Sequence, residues 1–98
     1  MKRQLRIRAE AEVDLSEAYA WYESKVRDLG DVFLDEVQKT YGLIKESPLH
    51  YQEIEKGVRR AILQRFPYSI YFLTSSEQIS VIAVLRQSRD PDLWKRRL

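Results

Sequence analysis

Arg59, Arg60, Arg65, Arg86 and Arg89, all in the second half of the chain, are the residues best suited to chemistry. A guanidinium is planar, stays charged at any physiological pH and offers a fork of donors that grips a phosphate or carboxylate bidentately. That permanence also makes it a poor general base. Breaking a phosphodiester without a metal needs one group to activate the attacking hydroxyl, another to protonate the leaving oxygen, and cations to stabilise the phosphorane. Arg59, Arg65, Arg86 and Arg89 are candidates for the last task. His50, Tyr68 and Tyr71 are the candidates for proton transfer, although an unperturbed tyrosine pKa of ~10 requires substantial tuning and a loop histidine is as a rule unemployed. Trp94 can stack on a base or close the sheet edge by packing a terminal helix. Glu10, Glu12, Asp14 and Glu17 are carboxylates close enough in sequence to suggest a metal cluster. Asp14 and Glu17 share a helix face, but a Mg²⁺ site needs support from elsewhere, so the run reads as a solvated acidic face. Arg96 and Arg97 read as solvated tail charges or polyanion contacts.

Other chemistries are excluded by composition. The chain has no cysteine and one histidine, which removes disulfides, zinc ribbons, cysteine nucleophiles and multi-histidine metal sites. No metal or cofactor is implied. No apolar run approaches the ~20 residues of a membrane span, and no apolar signal segment follows the basic start. The expectation is a cytoplasmic protein with no membrane partner. Its 98 residues suit one domain, residues 1–98, burying roughly 65% of its unfolded surface.

The net charge of +2 conceals a division along the chain. Residues 1–8 carry four bases and no acid, residues 9–56 five bases against twelve acids, and residues 57–98 eight bases against three acids. Such asymmetry suggests a face built for a polyanion or an acidic partner.

The elements that must position these groups follow from periodicity. Leu5, Ile7 and Ala9 alternate with polar residues as in a half-buried strand. Ala11, Leu15, Ala18, Tyr22, Val26 and Leu29 form a helical stripe, which Gly30 is expected to end as a left-handed cap. Asp31 is the expected N-cap of a second helix, striped by Phe33, Leu34, Val37, Tyr41 and Ile44 and ended at Ser47-Pro48. Residues 47–57 read as loop. Strands follow over 58–66, 68–74 and 78–86, then a short terminal helix over 93–98. The expected fold is α+β: β-α-α-β-β-β, a helical hairpin on one face of a mainly antiparallel four-stranded sheet, with the other face concave, basic and open.

Read in order, Ala11-x-x-Asp14-Leu15, Trp21-Tyr22, Leu29-Gly30-x-x-Phe33, Gly57-Val-Arg59-Arg60, Arg65-Phe-Pro-Tyr68-x-Ile-Tyr71 and Ile82-Ala-Val-x-x-x-x-Arg89-Asp-Pro-x-x-Trp94 resemble the RelE/ParE superfamily of toxins from type II toxin–antitoxin modules. The resemblance spans nearly the whole chain. It implies a growth-inhibiting, plasmid-stabilising type of protein that a cognate antitoxin neutralises by laying a flexible segment across it. Operator DNA would be met only through that complex. RelE-like members cut mRNA on the ribosome; ParE-like members poison gyrase without being nucleases. RelE-like ribonucleases carry an arginine where this chain has Ser69, and a C-terminal tyrosine where it has Trp94. Many relatives carrying the Arg-Asp-Pro piece have a histidine where it has Arg86. Each departure removes a plausible acid or base and keeps phosphate-binding capacity. The resemblance thus favours binding a gyrase-type protein target over ribosome-dependent mRNA cleavage. Arg59, Arg60, Arg65, Arg86, Arg89 and Trp94 are the expected target or antitoxin contacts.

Overall fold

A computed structural model describes residues 3–88 and 90–98 of the chain. Strand β1 (Gln4–Ile7) leads into α1 (Ala9–Lys25) and α2 (Leu29–Glu46), followed by β2 (Glu53–Glu55), β3 (Val58–Ile62), β4 (Tyr68–Thr74) and β5 (Gln78–Arg86), with 3₁₀ turns at Pro48–His50 and Lys95–Arg97. The fold is α+β, as expected, but the sheet has five strands in the order β1-β5-β4-β3-β2, with only β1 and β5 parallel. The extra strand, β2, lies inside the expected loop. The terminal helix is a single 3₁₀ turn.

The α1 stripe of Ala11, Leu15, Ala18 and Tyr22 is buried, as are Phe33, Val37, Tyr41 and Ile44 of α2. Together they meet Tyr68, Ile70, Phe72, Ile79, Val81 and Val84 of the sheet in the main core. The hairpin between the helices differs from expectation. α1 stops at Lys25, and the left-handed residue is Asp28, with φ 69°. Glu23 supplies the cap: its carboxylate accepts the N–H groups of Asp28 (2.9 Å) and Gly30 (3.0 Å), two donors the start of α2 would leave unpaired. Gly30 sits inside α2 for a different reason. A Cβ there would lie 2.7 Å from Tyr19 Cδ2 and 2.9 Å from the Tyr19 carbonyl, so the helices cross where only hydrogen fits. Gly30→Ala is therefore expected to lose about 1–3 kcal/mol in urea denaturation despite alanine's better helix propensity.

One irregularity in the sheet decides where the functional residues point. Tyr71 pairs with Ala83 but Phe72 pairs with Val81, so Ile82 is an extra, bulged residue in β5. A strict alternation from Ile79 and Val81 would aim Leu85 at the helices. The bulge shifts the phase: Val84 joins the main core while Ile82, Ala83 and Leu85 belong to a second cluster on the opposite face. Arg86, in step with Val84, is thereby turned toward the helices.

The opposite face is covered. Trp94 (4% exposed) lies in the cluster with Val58, Tyr71, Ile82, Ala83 and Leu85, with Ile54, Leu73 and Leu93 packed at its edge. Its indole stacks on Tyr71 at 5.8 Å and 17°. The expected open, basic floor is thus a small second core beneath the C-terminal segment. The apolar side chains on that face leave no alternative, since exposed they would form a large patch.

Candidate functional site

The C-terminal segment is fastened at two points, Lys95 and Arg97. Lys95 Nζ pairs with Glu55 (2.9 Å) and Asp92 (3.2 Å). These contacts, through hydrogen bonds to Glu55 first, hold the Lys95 ammonium pKa above its ordinary value. Arg97 reaches round the β5 edge to Asp14 of α1, donating from Nη1 to Oδ2 (2.6 Å) and from Nη2 to Oδ1 (3.0 Å). The hydrogen bonds to Asp14 raise the Arg97 pKa further. Asp14 Oδ2 also accepts the N–H of Val84 (3.0 Å), and Arg97 Nη1 donates to the Ile82 carbonyl (3.0 Å). β1 pairs with β5 only as far as Ile7 and Val81. Beyond that point the ion pair supplies the acceptor and donor a neighbouring strand would have supplied. Asp14 therefore leaves the solvated acidic face expected of it, and Arg97 is a structural residue; Glu10, Glu12 and Glu17 remain exposed. Among the described residues, no three His, Asp or Glu side chains converge as metal ligands.

Next to this staple, a crevice of about 180 Å³ is lined by Asp14, Glu17, Trp21, Tyr68, Leu85 and Arg86, with Val84 at its base. The Arg86 guanidinium lies 5.2 Å from the Trp21 ring and 5.9 Å from the Tyr68 ring, and Lys25 Nζ is 5.1 Å from Trp21. Trp21 is 46% exposed. A tryptophan face shared by two cations makes a flat, cationic plate at the surface. Burial pushes the neighbouring Tyr22 hydroxyl up, with Tyr68 adding to the shift and Arg86 opposing it.

The remaining site residues expected from sequence are dispersed. Arg59 faces the helix side in register with Phe72; its Nη1 donates to the Tyr51 carbonyl (2.6 Å) and its Nη2 lies 3.7 Å from Glu53. Arg60 is on the opposite face, paired with Tyr71. Arg65 is exposed in the turn before β4, where its N–H donates to Glu36 Oε2 (3.1 Å). Tyr68 is 7% exposed and Trp94 is inside the second core. His50 is exposed, edge-on to Tyr51. Arg96 is exposed, 3.5 Å from Asp90. Arg89 lies outside the described residues. Arg59 and Arg86 are in register with β4 residues four apart and lie on strands either side of it, which separates their backbones by roughly 16 Å. The structure thus brings together Arg86 and Tyr68, adds Trp21 and Lys25, and leaves Arg59, Arg60 and Arg65 elsewhere. Trp21 appears in sequence only within the Trp21-Tyr22 pair, yet it falls off the buried α1 stripe, and an exposed tryptophan beside a core face is itself a sign of a contact surface.

The sequence matches the family described as ParE toxin of type II toxin-antitoxin system, parDE, over residues 5–91. The chain belongs to the ParE toxin family. It is 30% identical to Toxin ParE2 of Mycobacterium tuberculosis, in both the CDC 1551 / Oshkosh and the ATCC 25618 / H37Rv strain, over 96 residues that cover 94% of this chain and 89% of the relative. The fold is shared with a solved structure titled chromosomal ParDE TA system from P. aeruginosa, at a TM-score of 0.77 and 18% identity, covering 87% of this chain and 96% of that one. This ParE-type toxin carries Asp14, Trp21, Tyr68 and Arg86 inside the matched span, whereas Trp94 and Arg97 lie beyond it. No helix among the described residues is long and apolar enough to cross a membrane.

Proposed function

We propose that this ParE-type toxin arrests growth by binding a gyrase-type protein target through the Trp21–Arg86 plate, and that a cognate antitoxin neutralises it. The observation that carries this reading is the dispersal of the cations: with Arg59 and Arg86 at opposite corners and Arg59 engaged by the Tyr51 carbonyl, no phosphorane-stabilising cluster is assembled among the described residues. Concerted proton transfer needs an acid and a base within hydrogen-bond reach of one reacting site, and His50, on the 3₁₀ turn, and Tyr68, against α1, belong to different parts of the molecule. A plate of aromatic and guanidinium groups is instead the composition typical of protein-binding hot spots. Such a target places the working protein in the cytoplasm, and the relative titled as a ParDE system supports a toxin working alongside an antitoxin.

The purified toxin is expected to inhibit supercoiling by gyrase and to leave mRNA intact on translating ribosomes. Cleavage at codon boundaries with gyrase unaffected would overturn the reading in favour of a ribosome-dependent endoribonuclease.

A further inference from the structure

Besides its buried stripe, α1 carries a second one that faces outward. Glu10, Val13, Glu17, Trp21 and Lys25 follow at three- and four-residue steps, and all five are exposed. Val13 (56%) and Trp21 (46%) give this face an apolar line.

The charges on the face are sorted along the helix axis. The acids stand toward the N-terminal end and Lys25 at the other, where Arg86 joins it against the Trp21 ring. Glu17 and Lys25 are each four residues from Trp21, hence about 12 Å apart along the axis, too far to pair with each other. Among the described residues, Glu10, Glu17, Lys25 and Arg86 have no ion-pair partner. Arg97 feels both acids, but its pKa is raised first by hydrogen bonds to Asp14, which already hold Nη1 (2.6 Å) and Nη2 (3.0 Å).

We infer that a second copy of this chain packs on this face, α1 antiparallel to α1 about a two-fold axis at Trp21. That operation carries Glu17 of each copy to Lys25 of the other, beside Arg86, and brings the two indoles together on the axis. A parallel pairing would set acid against acid. A uniformly acidic foreign surface would be repelled by Glu17, which lines the crevice beside the plate. A partner needs the same sorting in reverse to satisfy both ends, and the chain itself has it. The pairing covers the Trp21–Arg86 plate, so the dimer is a self-blocked form of the toxin. That consequence rests on the target reading above; the pairing itself does not. Contact between two single helices falls at the small end of interface sizes, so a dissociation constant of about 10–100 μM is expected.

The test is sedimentation velocity of the toxin without gyrase, from about 1 to 300 μM. Wild type is expected to pass from monomer to dimer across this range. Iodide quenching of tryptophan emission should fall with it, because Trp94 (4% exposed) contributes little and Trp21 becomes covered. Glu17→Lys and Lys25→Glu each set like charges across the contact and are expected to weaken it at least about tenfold. Lys45→Glu, the same charge change on exposed α2 surface, should weaken it less than about twofold. An equimolar mixture of Glu17→Lys and Lys25→Glu restores opposite charges, and is expected to form the dimer that neither variant forms alone. Recovery in the mixture also shows that both variants are folded. A wild-type toxin that stays monomeric throughout the range overturns the proposal. So does a dimer in which Trp21 stays as quenchable as in the monomer, a dimer that Glu17→Lys leaves unchanged, or a mixture that remains monomeric. Each of these leaves the target reading intact, whereas a toxin that pairs through this face yet leaves gyrase uninhibited overturns the target reading alone.

Discussion

Arg97→Ala is expected to lower the unfolding free energy by about 3 kcal/mol, a large share of the total for a domain this small. The substitution does more than remove a surface charge. It leaves the Asp14 carboxylate, whose side chain is 6% exposed, without its counter-ion, and it strips the Ile82 carbonyl of its side-chain donor. Stranding a buried charge is worth several times a surface ion pair, which contributes at most about 1 kcal/mol. Asp14→Asn is a milder change, because the amide oxygen can still accept the Val84 N–H. The double variant Asp14→Asn/Arg97→Ala should therefore be more stable than Arg97→Ala alone, recovering on the order of 1–2 kcal/mol. Urea denaturation of the four proteins measures both quantities. An Arg97→Ala protein within about 0.5 kcal/mol of wild type would mean that the staple holds nothing. Hydrogen exchange supplies a second readout: freed of Arg97, the segment that carries Trp94 should exchange faster than β4 and β5.

The same staple shows where a sequence is informative and where it falls silent. The 3.6-residue period of Ala11, Leu15, Ala18 and Tyr22 and the apolar runs of β4 and β5 announce their own elements, because each reports a burial pattern within one segment. Asp14 and Arg97 pair across the length of the chain, and no local spacing encodes that. Asp14 even looks solvated in context, being one acid among four in the first half of α1. β2 is silent for another reason: Glu53-Ile54-Glu55 is short and charged, and its strand character comes entirely from pairing with β3. Gly30 is legible as special but not in kind, since a left-handed cap and a close helix crossing both select glycine. The bulge at Ile82 hides in an unbroken apolar run. There a one-residue phase shift changes no residue type, yet it decides which face Arg86 joins.

That phase shift leads to the activity prediction with the largest effect. Arg86 lies over Trp21 and Tyr68 because the bulge turns it toward α1, and guanidinium stacking depends on a flat, delocalised cation. Arg86→Ala is expected to weaken target binding by roughly 30- to 100-fold, the 2–3 kcal/mol of an interface hot spot, and so to abolish growth arrest on induction. Arg86→Lys keeps the charge and loses the plane, and should recover only a minor part. Trp21→Ala should match Arg86→Ala closely, and the double variant should be little worse than either, because each residue works through the other. Growth arrest on induction and gyrase inhibition in vitro, with circular dichroism to show that the fold persists, provide the readouts. If lysine restores full activity, the plate acts only as positive charge and the stacked geometry contributes nothing. If both single alanine variants still arrest growth, the target contact lies elsewhere on the molecule. The double variant separates the remaining cases: losses that multiply would mark Trp21 and Arg86 as independent contacts, whereas losses that saturate would mark one recognition surface, built by a helix that supplies the indole and a bulged strand that aims the arginine at it.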